Sequence, residues 1–226
     1  SAAGSNQMTF SFWFKRGNLG AGTFFSSGIN NARGHIYFSS DKLAVQPFNS
    51  SGAAAYLMTD MVFRDPSAWY HIVISLNNTT YSNMSSTVNV YVNGVAVTFT
   101  ATNSGNPTGG NRLNDSQEKR IGELRPDSGS HFDGYLAEFN FIDGQVLTPS
   151  SFGETNTETG QWVPIDTTSL SYDAGDDSYR IDFGATDSSN PFNDASGNGQ
   201  HFSNDSTSGS PRIGTDTPTN NFMTWN

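Results

Sequence analysis

Apolar and polar residues alternate through most of the first two thirds of the chain. In "MTFSFWFKR" (Met8 to Arg16), Phe10, Phe12 and Phe14 share one face, and Thr9, Ser11, Trp13 and Lys15 share the other. That period of two predicts a half-buried strand. "GTFFSSG" (Gly22 to Gly28) and "GHIYFSS" (Gly34 to Ser40) predict short strands bounded by Gly and Ser, and "KLAVQPF" continues the meander. "WYHIVISL" (Trp69 to Leu76) is rich in β-branched residues and suits a central strand. Ser86 to Ala101 reads as a hairpin. Val88, Val90 and Val92 lead into Asn93-Gly94, a pair that tolerates positive φ, and Val95, Val97 and Phe99 lead away. Thr102 to Glu118 reads as a polar loop and Lys119 to Arg125 as a short strand. Gly134 to Phe141 alternates again, with Tyr135, Ala137, Phe139 and Phe141 expected on one side. "LTPSSFGE" reads as a single helical turn with Thr148 as N-cap and Pro149 at the first helical position. No long helix is expected.

Beyond about Gly160 the chain becomes Ser/Asp/Asn/Gly-rich, with one clear strand at Ser178 to Gly184. That segment holds too little apolar material for a core of its own. The pattern therefore predicts an all-β antiparallel sandwich over residues 1–160. An extended, loop-rich arm over 161–226 is expected to pack on the sandwich or on a neighbouring subunit.

Composition narrows the function classes. The 226 residues suffice for one large all-β domain or a domain plus an arm. The net charge of −10 repels phosphate backbones, so a nucleic-acid partner is not expected. No stretch approaches the ~20 apolar residues of a membrane span, so membrane insertion is not expected either. With no cysteine there is no disulfide, thiolate nucleophile or Cys-based zinc site. His35, His71, His131 and His201 are scattered without zinc spacing, and His71, beside Trp69, reads as a packing or hydrogen-bonding histidine. No G-x-S-x-G elbow supports a serine triad. The opening "SAAGSNQ" reads as the start of a fragment.

Four pieces taken together, "FSFWFKR", "WYHIVISL", "VNVYVNGV" and "IGELRPDSGSHFDGYLAEFNFIDGQVLTPSSFGE", resemble the laminin-G-like, concanavalin A-like jelly-roll domains. The likeness runs roughly from Thr9 to Glu154. The variant is most similar to copies in tail-fibre and other virion surface proteins of marine bacteriophages. The "VLTPSSFGE…W.P" join (Val146 to Trp162) and the "D-x-SGNG-x-HF…DTPTNNF" segment (Asp194 to Phe222) are familiar there. In related jelly rolls an "F-D-F…D-x-SGNG-x-H" strand usually precedes the first strand seen here. In this chain it stands near the C-terminus, where it fills the missing first-strand position or belongs to a following domain.

The resemblance implies a virion module that is structural and binds host-surface glycan. It would be homo-oligomeric, a trimer being favoured, or held by other virion proteins. A tailspike glycan depolymerase and a purely structural decoration domain are the alternatives. Hydrolases of this fold carry two carboxylates on one strand, and a retaining glycosidase needs them ~5 Å apart. Here Glu138 is followed by Phe139-Asn140-Phe141, so Asn140 takes the next same-face position and Asp143 falls on the opposite face. The chain is therefore expected not to be an enzyme. The resemblance also implies a possible Ca²⁺ at the rim, which wants several oxygen ligands. Asp127 and Asp133 are the leading candidates, with Asp173, Asp176, Asp177 and Asp194 also available. Turn-forming Asp side chains are the competing reading. Stacking platforms for a sugar ring are sought at Trp13, Tyr56, Tyr81 and Trp162.

Overall fold

The computed structural model describes residues 7–29, 32–50, 53–77, 84–104, 111–124, 130–172, 177–184, 189–204 and 212–220. Its strands are β1 (Gln7–Arg16), β2 (Gly22–Ile29), β3 (Ala32–Ser39), β4 (Lys42–Ser50), β5 (Ala53–Thr59), β6 (Tyr70–Asn77), β7 (Val88–Val92), β8 (Val95–Ala96), β9 (Phe99–Ser104), β10 (Lys119–Ile121), β11 (Gly134–Asp143), β12 (Gly153–Thr155), β13 (Trp162–Pro164) and β14 (Tyr179–Ile181). One six-stranded sheet runs β14-β11-β1-β6-β7-β8 and the other β10-β2-β3-β4-β5-β9, with β12-β13 as a separate pair. The named strand pairs are antiparallel, and the two large sheets pack face to face as a sandwich around one core.

The phenylalanine face of β1 explains the sandwich. Phe10, Phe12 and Phe14 are fully buried. Beside them in the first sheet lie Ile72, Ile74, Val90 and Phe139, and the second sheet supplies Phe24, Phe25, Phe38, Val45 and Leu57. Phe12 stacks on Phe139 at 5.2 Å and lies 5.0 Å from Phe24, so a single ring bridges both sheets. Aromatic pairs of this kind add about 0.5–1.5 kcal/mol beyond area burial.

The structure departs from the sequence expectation at several places, among them β9, which runs to Ser104 into the expected loop, and β10, which ends at Ile121. The hairpin continues only to Ala96, where Val95 and Ala96 are exposed. The chain then leaves the first sheet, and β9 pairs with β5 in the second. Strand β5, "AAAYLMT", is alanine-rich and has weak intrinsic preference; flanking β4 and β9 make it a strand. In β11 the partners step from Ser11↔Asn140 to Trp13↔Ala137, so β11 carries one extra residue. That bulge, with Glu138 at φ 48°, moves Tyr135 and Ala137 to the outer face, while Phe139 and Phe141 stay in the core. The face expected to unite these four side chains is thus broken in the middle. Thr148 stands before a short 3₁₀ turn, Pro149–Ser151, and its side chain makes no capping bond; its hydroxyl meets Ser150 instead.

Within the C-terminal segment, β14 pairs antiparallel with β11 and extends the first sheet, burying Tyr179 and Ile181. The loop of the D-x-SGNG-x-H motif laces that strand down. Asp194 accepts the amides of Arg180 (3.0 Å) and Ser196 (2.8 Å) on one oxygen and that of Gln200 (3.0 Å) on the other. The Asp194 amide donates to His201 Nδ1, and Asn198 Nδ2 donates to the carbonyls of Tyr172 and Ser178. Asp194, Ser196, Asn198 and His201 of the motif therefore each have a structural occupation.

Candidate functional site

The outer face of the first sheet is covered rather than bare. Val73 and Ile142 on that face pack with Phe152 and Tyr172, which the chain folds back over them after β11. Beside this cover, β12 and β13 form a small hairpin. Its connecting loop is tied by the Asn156 amide to the Gln161 carbonyl, the Gly160 amide to the Asn156 carbonyl, and Asn156 Oδ1 to the amides of Glu158 and Thr159.

Between this hairpin and the Asn93-Gly94 turn lies an open groove of about 430 Å³, lined by Trp69, Asn93, Val95, Thr155, Gly160, Gln161 and Trp162. The half-buried Trp162 indole, two carboxamides and a hydroxyl line it, Trp69 lies at its margin almost wholly buried at 2% exposure, and none of these residues is charged. Trp162 is held from three sides. A Cβ on Gly94 would come within 2.6 Å of its ring, and one on Gly153 within 2.7 Å. Its Nε1–H donates to His71 Nδ1 at 2.9 Å. The two rings are nearly coplanar (21°) with centroids 6.0 Å apart, so they meet edge to edge through that bond.

His71 is fully buried. Trp13 stacks on its face at 4.6 Å and 19°, and Ser11 Oγ lies 2.8 Å from Nε2. An indole N–H can only donate, so Nδ1 is the acceptor and the imidazole proton resides on Nε2, shared with the Ser11 hydroxyl. Burial pushes the His71 pKa down to about 3, which keeps the ring neutral. Trp69 has its own anchor. Its Nε1–H donates to Asp216 Oδ1 (3.1 Å), whose other oxygen accepts from Lys15 Nζ (2.7 Å). The Lys15 ammonium holds the Asp216 carboxyl below its ordinary value, with the Trp69 indole assisting.

Residues 1–151 match the family described as the Concanavalin A-like lectin/glucanases superfamily. The chain belongs to that superfamily. No curated protein matches the chain. Among solved structures, it is similar to domain 4 of AbnA, an extracellular arabinanase of Geobacillus stearothermophilus solved with arabinotriose: 21% identity, 66% of this chain and 66% of that one, TM-score 0.46. The CBM40 domain of the Ruminococcus gnavus IT-sialidase, solved with α2,3-sialyllactose, shares 12% identity over 66% of this chain and 80% of that one, TM-score 0.48. The receptor-binding domain of botulinum neurotoxin type G shares 14% over 65% and 36%, TM-score 0.43. The chain thus spans just under two thirds of the arabinanase domain and about a third of the neurotoxin domain.

For this lectin/glucanase-superfamily chain, the expected site residues scatter. Trp162 lines the groove, half-buried. Trp13 does face away from the phenylalanines, but it is 1% exposed and stacked against His71. It therefore supports the groove through His71 and offers no ring to a ligand, which corrects the expectation of a platform there. Tyr56 sits on the outer face of the second sheet, since its neighbours Ala55 and Leu57 point into the core. That is the opposite side of the sandwich from Trp162. Tyr81 and Asp127 lie outside the described residues. Asp133 accepts a hydrogen bond from Asn18 Nδ2 at the end of the sandwich next to Arg16. Among the described residues no three His, Cys, Asp or Glu side chains gather as metal ligands. The Asp194 carboxylate is spent on three backbone amides, which outweigh its burial and hold it below its ordinary value.

Glu138 sits at the bulge and faces Arg180 at 4.0 Å. Burial raises its carboxyl, Arg180 opposes the rise, and Asp182 and Asp166 add to it. Asp143 pairs with Met8, a core residue, and is itself buried at the strand end. The two acids are not a facing pair. Trp69, Asn93 and Gln161 were not singled out as site residues from sequence. The Asn-Gly turn signal lay on the groove without revealing it, because β13 reaches that turn only through the tertiary fold.

Proposed function

We propose that this chain is a non-enzymatic carbohydrate-binding module that takes a neutral host-surface glycan in the groove between the Asn93-Gly94 turn and the β12–β13 hairpin. The carrying observation is the lining of that groove: indole carbon surface beside carboxamides and a hydroxyl, with no charged side chain among the residues that form it. A sugar ring offers the complement, an apolar C–H face edged by hydroxyls. Superfamily membership leaves binding and hydrolysis both open. The absence of a facing carboxylate pair at Glu138 favours binding.

The setting proposed is a virion surface protein, a tail fibre or capsid fibre, with copies of this chain (a trimer is favoured) or other virion proteins as partners. The "VLTPSSFGE" join and the "DTPTNNF" segment support that setting by resemblance. A glycan array with the folded chain and with Trp162→Ala tests the binding. Retained neutral-glycan spots that vanish in the variant are expected, and spots indifferent to Trp162 refute the groove. A reducing-end assay on host polysaccharide separates binding from cleavage. Sedimentation gives the oligomer, and antibody labelling of purified particles tests the setting.

A further inference from the structure

His71 touches both walls of the groove without lining it. Its ring accepts the Trp162 indole N–H at 2.9 Å. Its backbone forms a reciprocal pair with Asn93. The His71 N–H donates to Asn93 Oδ1 at 2.8 Å, and the Asn93 N–H donates to the His71 carbonyl at 2.9 Å. Asn93 takes a left-handed conformation, φ 49°, and its side-chain oxygen is committed to the backbone. The amide's other arm, Nδ2, is the donor left for the groove that Asn93 lines.

We propose that His71 is the positioning residue of the groove and sets what its walls can recognise. By consuming the Trp162 N–H and the Asn93 oxygen, it leaves the groove an indole carbon surface beside an NH₂ donor. Trp69, at 2% exposure, offers no ring to a ligand, and its N–H is spent on Asp216, so Trp162 is the indole surface of the groove. Such walls select a ligand with an uncharged apolar face next to an acceptor oxygen, which a neutral sugar presents through its ring or hydroxyl oxygens. Trp13 and Ser11 hold the imidazole from behind, at 4.6 Å face to face and 2.8 Å to Nε2. The device is preorganised: the groups are fixed before a ligand arrives, so binding does not spend affinity ordering them. The ligand class here rests on the carbohydrate reading above; the positioning role does not.

The test uses the native chain labelled with ¹⁵N. The His71 nitrogens should report the Nε2–H tautomer at neutral pH, and the Trp162 indole proton should exchange slowly with solvent. An Nδ1–H tautomer, or an indole proton exchanging at the open rate, overturns the proposal. His71→Phe keeps a flat ring under Trp13 and removes the acceptor. Fast indole exchange and roughly tenfold weaker binding of arabinotriose or cellotetraose are expected, with 3′-sialyllactose as the charged control. Should that variant not fold, Asn93→Asp serves. It keeps the acceptor for His71 N–H and the tolerance of positive φ but removes the donor, so the neutral probes should again bind about tenfold less. Unchanged binding by Asn93→Asp overturns the specificity half. If the native chain binds none of the three sugars, the carbohydrate reading falls, and tautomer and indole exchange alone judge His71.

Discussion

Two histidines are buried neutral in this sandwich, and their burial should make the fold acid-labile well above the carboxylate range. Burial holds His71 at about 3. It holds His35 there too, with Arg33 assisting. In the unfolded chain both would titrate near 6.5. The folded value lies below the unfolded one, so between the two only the unfolded state takes up the proton. Stability is then complete above about pH 6.5 and drains away as the pH falls toward 3. At 1.36 kcal/mol per unit, each histidine removes about 2 kcal/mol at pH 5 and about 3.4 kcal/mol at pH 4. Together they remove about 4 kcal/mol at pH 5, a large share of the 5–15 kcal/mol that holds an ordinary domain. The depressed carboxyls of Asp41, Asp65, Asp166, Asp194 and Asp216 lose their contributions only at lower pH, below their ordinary values. The raised Glu138 works in the opposite direction. The window from pH 8 to 5 therefore isolates the imidazoles. Urea melts at half-unit steps should show the unfolding free energy falling by about 4 kcal/mol over that window, and by about half as much in a folded His71→Phe chain. A free energy flat to within about 0.5 kcal/mol from pH 8 to 5 would refute the reasoning.

Other outcomes follow from single contacts. Gly94→Ala sets a methyl against the Trp162 ring at a residue with φ 82°; it should cost about 1–3 kcal/mol by urea melt and shift the Trp emission maximum. Asp194→Ala orphans three backbone amides and should cost about 2–4 kcal/mol, whereas Asp194→Asn keeps the oxygen shared by Arg180 and Ser196 and should cost visibly less; equal losses would contradict the bond assignment. Phe12→Ala empties the position that bridges both sheets and should cost about 3–5 kcal/mol in the same melts.

Much of the sandwich was legible in the chain. The period-two face of Phe10, Phe12 and Phe14 and the apolar strand around Ile72 and Ile74 are local signals of a buried sheet surface, and both faces stand where the alternation put them. The Asn93-Gly94 turn was legible for the same reason, since positive φ is a property of those residues. The β11 bulge was not. An extra residue leaves the alternation of Tyr135, Ala137, Phe139 and Phe141 intact on paper, and only the pairing with β1 shows that it slips. The end of the hairpin at Ala96 escaped similarly, because what draws Phe99 away is the open edge of β5, itself a strand by pairing rather than preference.

The candidate site divides along the same line. Which side chains could hold a sugar ring is a matter of residue type, and Trp162 was on that short list with Trp13, Tyr56 and Tyr81. Which of them meets solvent beside which other depends on contacts between residues far apart in sequence. Trp162 reaches His71 across 91 positions, and Trp69 reaches Asp216 across 147. Periodicity reports on neighbours two to four residues apart and carries no record of such pairs. The sequence by itself determined the sandwich, its aromatic core and its polar, acidic surface. The tertiary fold alone decided that Trp13 would be buried as a support, that Trp162 would be a wall, and that His71 would stand between them.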